Sequence, residues 1–527
     1  MKIKLQDKKG FKWYSNGGIY VKGFIYDQSG KYYQGAQLLD FFSNITRPQL
    51  FKEVIQKLNG LFSIVIETPQ GFYAAVDLSR TFPLFYCVNN DDIRISDTPG
   101  ELTQKQLNES RIPEFLACGY VTGKETLLKG VYQIQAGSFL VVHQGQFEEQ
   151  RYFYYLDEES NTTGSEYQIQ DALNGIINTI GHKLVASLQG RQAVLPLSGG
   201  FDSRLIATLL KEQKYENVIC FTFGRAANSE SKIARIVAGK LDYPWYFIKN
   251  DKETVRDYFK SKMFNAYYGY ASCFTSMFFM EQYFALLYLT KNNLIESNAV
   301  FIPGHSGDFF AGSHLKGFFT DHTSGAALVN RIFKKNYSLY PLSLDEKQKI
   351  IVQISKYVND RHGPPHSIYE EWILTERQAK FIVNSARLYS FFNYEFRMPL
   401  WDKQFITFFK ALPLKYKNYK ILYNKLLQDR YFTNYKLTFN RETTKLNLGI
   451  KIQNIKSNLR GLLPGRIKQY YLNKNDTSGY REISREMMEE MHINQFDYYR
   501  KPDRNYNSVL IQWYLFKIIQ EIKSDFV

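Results

Sequence analysis

The stretch Val194–Leu210, VLPLSGGFDSRLIATLL, constrains this chain more than any other, because its centre joins an apolar strand to an amphipathic helix through small residues. Ser198, Gly199 and Gly200 let backbone N–H groups approach a ligand that side chains would exclude. The helix that follows presents unpaired N–H groups and the positive end of its dipole, so a phosphate group suits the turn. The motif is neither the Walker loop GxxxxGK[ST] nor the dinucleotide fingerprint GxGxxG. Asp202 inside the turn would repel phosphate unless a divalent cation lay between them, and Mg²⁺ bound to pyrophosphate resolves that conflict. A bare GGxDS would also serve as an ordinary capped connection; its placement between strand and helix is what favours a nucleotide.

At 527 residues and 44% hydrophobic, the chain has room for two or three domains with sizeable cores. Residues 16–150 alternate short apolar runs (GGIYVKGFIY, GLFSIVIET, GFYAAVDL, PLFYCVN, DIRISDT, GSFLVVHQGQF) with Gly, Asn and Asp turns. This period-two pattern predicts stacked antiparallel sheet, with helical stretches around Gly35–Asn44 and Pro48–Leu58. The polar break Asp157–Ser165 divides the chain into expected domains at residues 1–156 and 166–527. A helix is expected from about Glu166 to Gln189. Beyond it the strands AVLPL, VICFTFG and YPWYFIK alternate with the helices DSRLIATLLKEQ and ESKIARIVAGKL, the rhythm of a parallel sheet with helices on both faces. From about Asp345 onward the pattern is mostly helical. The fold class is therefore α+β in front of α/β.

A net charge of +16 is large, yet basic residues recur from Lys403 to Lys468 rather than forming one compact run. A solvated basic surface accounts for them, no nucleic-acid module is legible, and no nucleic-acid partner is expected. The most apolar later run, Ser276–Thr290, carries Glu281 and Gln282 and is too short to span a bilayer, so it is expected to be a buried helix. The N-terminus, MKIKLQDKKGFKW, lacks the apolar core of a secretory signal. Cys87, Cys118, Cys220 and Cys273 have neither metal nor disulfide spacing, which points to a reducing cytoplasm.

SGGFDS resembles the pyrophosphate loop of the ATP-pyrophosphatase superfamily, specifically that of asparagine-synthetase-like enzymes. The resemblance extends over nearly the whole chain. It implies an enzyme that adenylates a carboxylate with ATP and Mg²⁺, releases pyrophosphate, and passes the acyl group to a nitrogen nucleophile. Leu197, Ser198, Gly199, Gly200, Asp202 and Ser203 would then hold ATP and pyrophosphate, and Phe223 and Gly224 would lie beside the adenine. PGHSGDFFAGSH at Pro303–His314 is similar to the family's second motif, SGEGxDE followed by GGY. Gly304, Asp308 and Gly312 match it, which makes Asp308 the second metal ligand opposite Asp202. The family's acidic residue after the first glycine is His305 here, either the base that deprotonates an attacking amine, as in the related β-lactam synthetases, or a substrate contact. NYEFRMPLWD is similar to GxExRxPFLD; Glu395, Arg397, Pro399 and Asp402 match and are expected to pin helices together, while Trp401 replaces the usual Leu. Glu376 falls near the second catalytic acid of the β-lactam synthetases. Lys445, in RETTKLNLG, matches the late-loop lysine that stabilises charge on the adenylate.

The N-terminal block, with LNGLFSIVI, AAVDLSRTFPLFY and VTGKETLLKGVYQIQAG, resembles the Ntn-type glutaminase domain of class II amidotransferases. In that domain an N-terminal Cys is the nucleophile. Lys2 follows Met1 here and the first cysteine is Cys87, so the expectation is a degenerate glutaminase in which Asn59 and Gly60 survive as relics. The nitrogen would come from an amine on the substrate, or from ammonia or an amine delivered from outside. Two carboxylate classes stay open: a sugar uronate of a surface polysaccharide, or a peptide or amino-acid derivative closed to a lactam, as by lasso-peptide macrolactam synthetases. Against these stand a tRNA-modifying ATP-pyrophosphatase and a non-catalytic binding protein. A homodimer is one assembly open to such a chain.

Overall fold

The computed structural model describes residues 2–524 except positions 46, 70, 90–91, 144–145, 157–163, 227, 260 and 321 and the stretches 440–475, 495–497 and 499–504. Most of the expected boundary at Asp157–Ser165 therefore lies outside the described residues, and so does Lys445.

The first 151 residues carry two sheets. The larger runs Gln146–Arg151, Ser138–His143, Gly71–Val76, Asn59–Thr68, Ile19–Tyr26, Tyr14–Asn16, with Tyr32–Gln34 also paired to Ile19–Tyr26, and every pairing is antiparallel. The smaller runs Lys2–Lys4, Asp92–Ser96, Phe85–Asn89, Tyr132–Gln133, its first pair parallel. Side chains alternate across a strand. Val65 and Ala74 point toward Tyr86, Ile93 and Ile95 of the smaller sheet, while Ile64, Ile66, Tyr73 and Ala75 point into the main core. The inner strands Ser138–His143, Gly71–Val76, Asn59–Thr68 and Ile19–Tyr26 are thus buried on both faces over most of their length, while the outer strands Tyr14–Asn16 and Gln146–Arg151 are largely exposed or half-buried. Pro48–Lys57 is an α-helix as expected, and Gly35–Phe42 is a 3₁₀ helix.

The helix Glu166–Leu188 opens on Ser165, whose hydroxyl accepts from Gln168 N while the Gln168 side chain reaches back to the Ser165 backbone, a capping box. It leads into a five-stranded parallel sheet in the order Trp245–Lys249, Val218–Gly224, Ala193–Pro196, Val300–Phe301, Glu395–Phe396. The helices Phe201–Glu212 and Ser229–Lys240 make the connections between its first three strands in sequence. The order reverses beside Ala193–Pro196, so a crevice forms at the carboxyl end of that central strand.

One expected helix is shorter than the sequence suggests. Only Tyr283–Lys291 of the run Ser276–Thr290 is α-helical. Ser276 forms an antiparallel bridge with Tyr120, flanked by Val121 N to Thr275 O at 2.8 Å and Met277 N to Gly119 O at 2.7 Å. Backbone pairing with the N-terminal region takes the donors that helix formation would have used.

Arg397, 1% exposed, fastens the two sheet systems together. Its guanidinium donates to Glu395 Oε2 at 3.1 Å, Ser187 O at 3.1 Å, Phe396 O at 3.0 Å and Tyr32 Oη at 2.7 Å, and lies 4.6 Å from the centre of the Phe24 ring. Beside it Asp402 accepts from Lys183 Nζ and Asn59 Nδ2, both at 2.8 Å, and Asn59 Oδ1 accepts from Lys403 N at 2.9 Å. The expected pinning role of this motif is therefore visible in its contacts, and Asn59 is engaged in the same junction. Arg397→Ala would leave the half-buried Glu395 with only Arg191 beside it and take the buried donor from Ser187 O, Phe396 O and Tyr32 Oη, and should lower unfolding free energy by about 3–5 kcal/mol, read as a fall in the urea midpoint.

Candidate active site

The turn between Ala193–Pro196 and Phe201–Glu212 is held by its own side chains. Leu197 N still bonds across the sheet to Phe221 O at 2.8 Å. The chain then leaves the sheet, and Ser198 Oγ accepts from Gly200 N at 3.1 Å and meets Ser203 Oγ at 3.0 Å. Gly200, at φ −78° and ψ 163°, is the N-cap, so Phe201, Asp202 and Ser203 form the first helical turn with N–H groups free of helical partners. From behind, the fully buried Arg204 donates to Gly199 O at 3.1 Å and Leu437 O at 2.8 Å, with its guanidinium among the rings of Phe201, Phe432 and Phe439. A methyl at Gly200 would meet only Ser198 Oγ, at 3.2 Å. Among the described residues nothing else crowds that position.

The second loop, Pro303–His314, abuts this turn. Asp308 N donates to Asp202 Oδ2 at 2.7 Å, and Tyr423 Oη donates to Asp202 Oδ1 at 3.1 Å. Two glycines permit the approach: a Cβ at Gly304 would sit 2.7 Å from Ser203 N, and one at Gly307 would sit 2.9 Å from the Asp202 carboxylate carbon. Asp202 is buried and Asp308 is exposed to the crevice. Burial, and then the Asp308 charge, push the Asp202 carboxyl up to about 7, against the opposing effects of the Asp308 N–H, Lys420 and Tyr423. Lys420 enters because Tyr419 and Lys420 both adopt left-handed conformations, φ 56° and 59°, just before the helix Ile421–Leu426. Consecutive non-glycine residues in that region store strain, and here the strained pair sets a cation beside two carboxylates.

These groups line one cavity of about 530 Å³, ample for a nucleotide. Leu197, Ser198, Gly200, Asp202, Ser203, Phe223, Gly304, His305 and Asp308, all named from the sequence, line it. Gly199 and Gly224 do not: a Cβ on Gly199 would face Ile233 at 3.3 Å, and one on Gly224, at φ +121°, would strike Thr477 O at 2.2 Å. Gly224 therefore makes room for the C-terminal segment rather than for a ligand. His305 Nε2 lies 3.4 Å from Ser385 Oγ, its Nδ1 has no hydrogen-bond partner, and burial lowers its pKa to about 4. The ring is neutral at pH 7, a hydrogen-bonding group and a weak base rather than one poised near neutrality.

Glu376 is not in this cavity. Its carboxylate accepts from Gly123 N at 3.1 and 3.2 Å and from Lys380 Nζ at 2.6 Å. The physical reason is local: Ile373–Ile382 is a π-helix, whose wider turn rotates side chains away from the α-helical register that the sequence implies. Gln378, two residues on, reaches the second loop instead, accepting from Ser306 Oγ at 2.8 Å. Groups that the sequence reading missed are Arg204, Lys420, Tyr423 and Glu281. Glu281 lines the cavity and its carboxyl is raised by burial despite a hydrogen bond from Tyr480. Arg204 adjoins SGGFDS and was within reach of that motif, whereas the other three come from distant segments that carry no local signal.

Residues 189–435 match the family model for asparagine synthase. This stretch is an asparagine synthase-type domain. It contains the turn, the second loop, Arg397, Lys420 and Tyr423. The microcin J25-processing protein McjC of Escherichia coli is 28% identical over 166 residues, a match spanning 30% of this chain and 30% of that protein. Among solved structures, an NH3-dependent NAD synthetase from Campylobacter jejuni is 16% identical over 42% of this chain and 96% of its own, with a TM-score of 0.21. A glutamine phosphoribosylpyrophosphate amidotransferase from B. subtilis is 9% identical over 57% of this chain and 64% of its own, with a TM-score of 0.18. Scores this low add nothing to the strand order given above. Among the described residues no helix is long and apolar enough to cross a membrane.

The paired carboxylates set a pH dependence. Asp202 has a folded pKa of about 7 against 3.8 unperturbed, so its proton stabilises the unliganded fold most below pH 3.8, and this is lost as pH rises through 7. Asp202→Asn cannot lose that proton. Between pH 5 and pH 8 the unliganded wild-type protein should therefore lose stability relative to Asp202→Asn, by an amount on the order of 3 kcal/mol in urea titrations.

Proposed function

We propose that the chain is an ATP- and Mg²⁺-dependent ligase that joins a carboxylate to an amine as an amide, through an acyl-adenylate. The observation that carries this reading is the facing pair Asp202 and Asp308 across the Ser198–Ser203 turn, with Lys420 beside them in the same cavity. Two carboxylates fit one hard cation whose remaining positions are taken by phosphate oxygens and water. Asp202 and Asp308 would hold Mg²⁺, which supplies charge neutralisation at the pyrophosphate.

In the first step a substrate carboxylate oxygen bonds to the α-phosphorus of ATP and the bond to the β-phosphate bridging oxygen breaks, releasing pyrophosphate. In the second, an amine nitrogen bonds to the carbonyl carbon, AMP leaves with the electron pair of the broken C–O bond, and the amine gives up a proton. The first-turn N–H groups, the Ser198 and Ser203 hydroxyls and Lys420 stabilise the leaving phosphates. Phe223 packs against the adenine, and His305, neutral and with Nδ1 unpartnered, makes a polar contact with the substrate.

In this reading the N-terminal sandwich, residues 1–156, is a scaffold rather than an ammonia source. Asn59, half of the Asn-Gly pair of the glutaminase motif, is spent on Asp402 and the Lys403 N–H. The amine then comes from the substrate itself or from outside. The likeness to a microcin-processing protein puts a peptide carboxylate and intramolecular lactam closure ahead of a sugar uronate.

The test is a pyrophosphate-exchange screen over peptides, amino acids and sugar acids. A productive carboxylate should give AMP and pyrophosphate in equal amounts, and release of ADP would sink the reading. Asp308→Asn and Lys420→Ala should each lower kcat by about 10²–10³ with the fold intact, as for removal of a single preorganised charge-stabilising group.

A further inference from the structure

Lys420 reaches the cavity from a segment that its neighbours hold at three points. Lys417 ends the short helix Leu414–Lys417, and its ammonium donates to Glu370 Oε2 at 2.8 Å, with both side chains 0% exposed. Glu370 lies on the helix Pro365–Trp372, so this pair joins parts of the chain 47 residues apart. Burial raises the Glu370 carboxyl and the Lys417 charge opposes that rise. His314, whose Nε2 lies 3.6 Å from Glu370 Oε1, is kept neutral first by its own burial, so Lys417 supplies the balancing charge. The Lys417 backbone is the second point of attachment: a Cβ on Gly312, at φ +97°, would strike Lys417 O. The third is Asn418 Oδ1, which accepts from Gly317 N at 3.2 Å. Directly afterwards the left-handed Tyr419 and Lys420 turn the chain, and Lys420 lines the cavity.

Gly312 closes the same turn that carries Asp308. Gly307–Phe310 is helical, Ala311 N bonds to Gly307 O at 3.0 Å and Ser313 N bonds to Asp308 O at 2.9 Å. Asp308 and the surface that meets Lys417 O therefore belong to one short piece of chain, and whatever fixes Lys417 there fixes the cation relative to the carboxylates. Glu370 and Lys417 themselves do not line the cavity. A buried ion pair contributes little net stability compared with apolar side chains of similar volume, because desolvation offsets the attraction. What it does impose is a direction and a distance, through a charge-assisted hydrogen bond that apolar contact does not reproduce.

We infer that Glu370 and Lys417 are positioning residues: their buried ion pair holds the Lys417–Lys420 segment against the second loop and so sets Lys420 beside Asp202 and Asp308. The assignment rests on the reading of Lys420 as a group that stabilises the leaving phosphates.

Isothermal titration of the full chain with magnesium pyrophosphate tests it through a cycle of variants. Lys417→Met combined with Glu370→Leu removes the pair and roughly keeps its volume, and the urea midpoint should stay near that of the wild type. This apolar-pair variant and Lys420→Ala should each weaken pyrophosphate binding about tenfold, and all three substitutions together should weaken it no more than Lys420→Ala alone. A general structural role would instead add its loss to that of Lys420→Ala. Should the apolar pair not fold, Glu370→Gln, which leaves Lys417 an acceptor, enters the same cycle with the same non-additivity expected. Binding that is unchanged when the pair is removed, or losses that add, overturn the assignment and leave the ligase reading in place. A wild-type chain that binds no magnesium pyrophosphate overturns both.

Discussion

The contact on which the rest of this molecule depends is the hydrogen bond from Asp308 N to the Asp202 carboxylate, 2.7 Å long, between segments more than a hundred residues apart. It is possible only because Gly304 and Gly307 carry no Cβ where one would strike Ser203 N and the Asp202 carboxylate. The contact forces two acids into one crevice. A protein has few reasons to keep such a pair, and the raised Asp202 pKa records the electrostatic cost. The surrounding groups offset it incompletely: Tyr423 and the Asp308 N–H take up the Asp202 oxygens, and Lys420 is turned in by a strained left-handed pair. What would complete the balance is a divalent cation, and that requirement connects the fold to the proposed chemistry.

The rest of the architecture holds the two loops in that position. Ala193–Pro196 and Val300–Phe301 are neighbours in the parallel sheet, so the loops that follow them emerge side by side. Arg397 then ties the next strand to Tyr32 and Phe24 of the N-terminal sheet, and Asp402 ties Lys183 to Asn59. The N-terminal sandwich thereby braces the Glu395–Phe396 edge of the sheet whose central strand opens on the cavity. Removing Lys183 or Asp402 strands the charge of its buried partner, which makes the junction more demanding than its few residues suggest.

The sequence discloses the parts of this design that are local. Strand, glycine turn and helix N-terminus occupy consecutive residues from Ala193 to Glu212, so the turn could be read without a structure. The antiparallel N-terminal strands were legible from their spacing and turns. Asp308 was legible through a spaced motif. Lys420 and Tyr423 were not, because nothing near KYKNYKILY marks the left-handed kink that turns it toward Asp202. Glu376 was misplaced because the π-helical run changes the register by which a helix face is counted. The first half of Ser276–Thr290 was misread because apolar composition does not separate a buried helix from a segment that pairs by its backbone with Tyr120.

The most direct test of the central claim is to count a divalent ion between the two carboxylates. Mn²⁺ in place of Mg²⁺ can be followed by electron paramagnetic resonance as it is titrated into the full chain with and without pyrophosphate. One tight Mn²⁺ per chain should appear when pyrophosphate is present, and it should be lost in both Asp202→Asn and Asp308→Asn. Tight Mn²⁺ binding that persists in either variant would contradict the account.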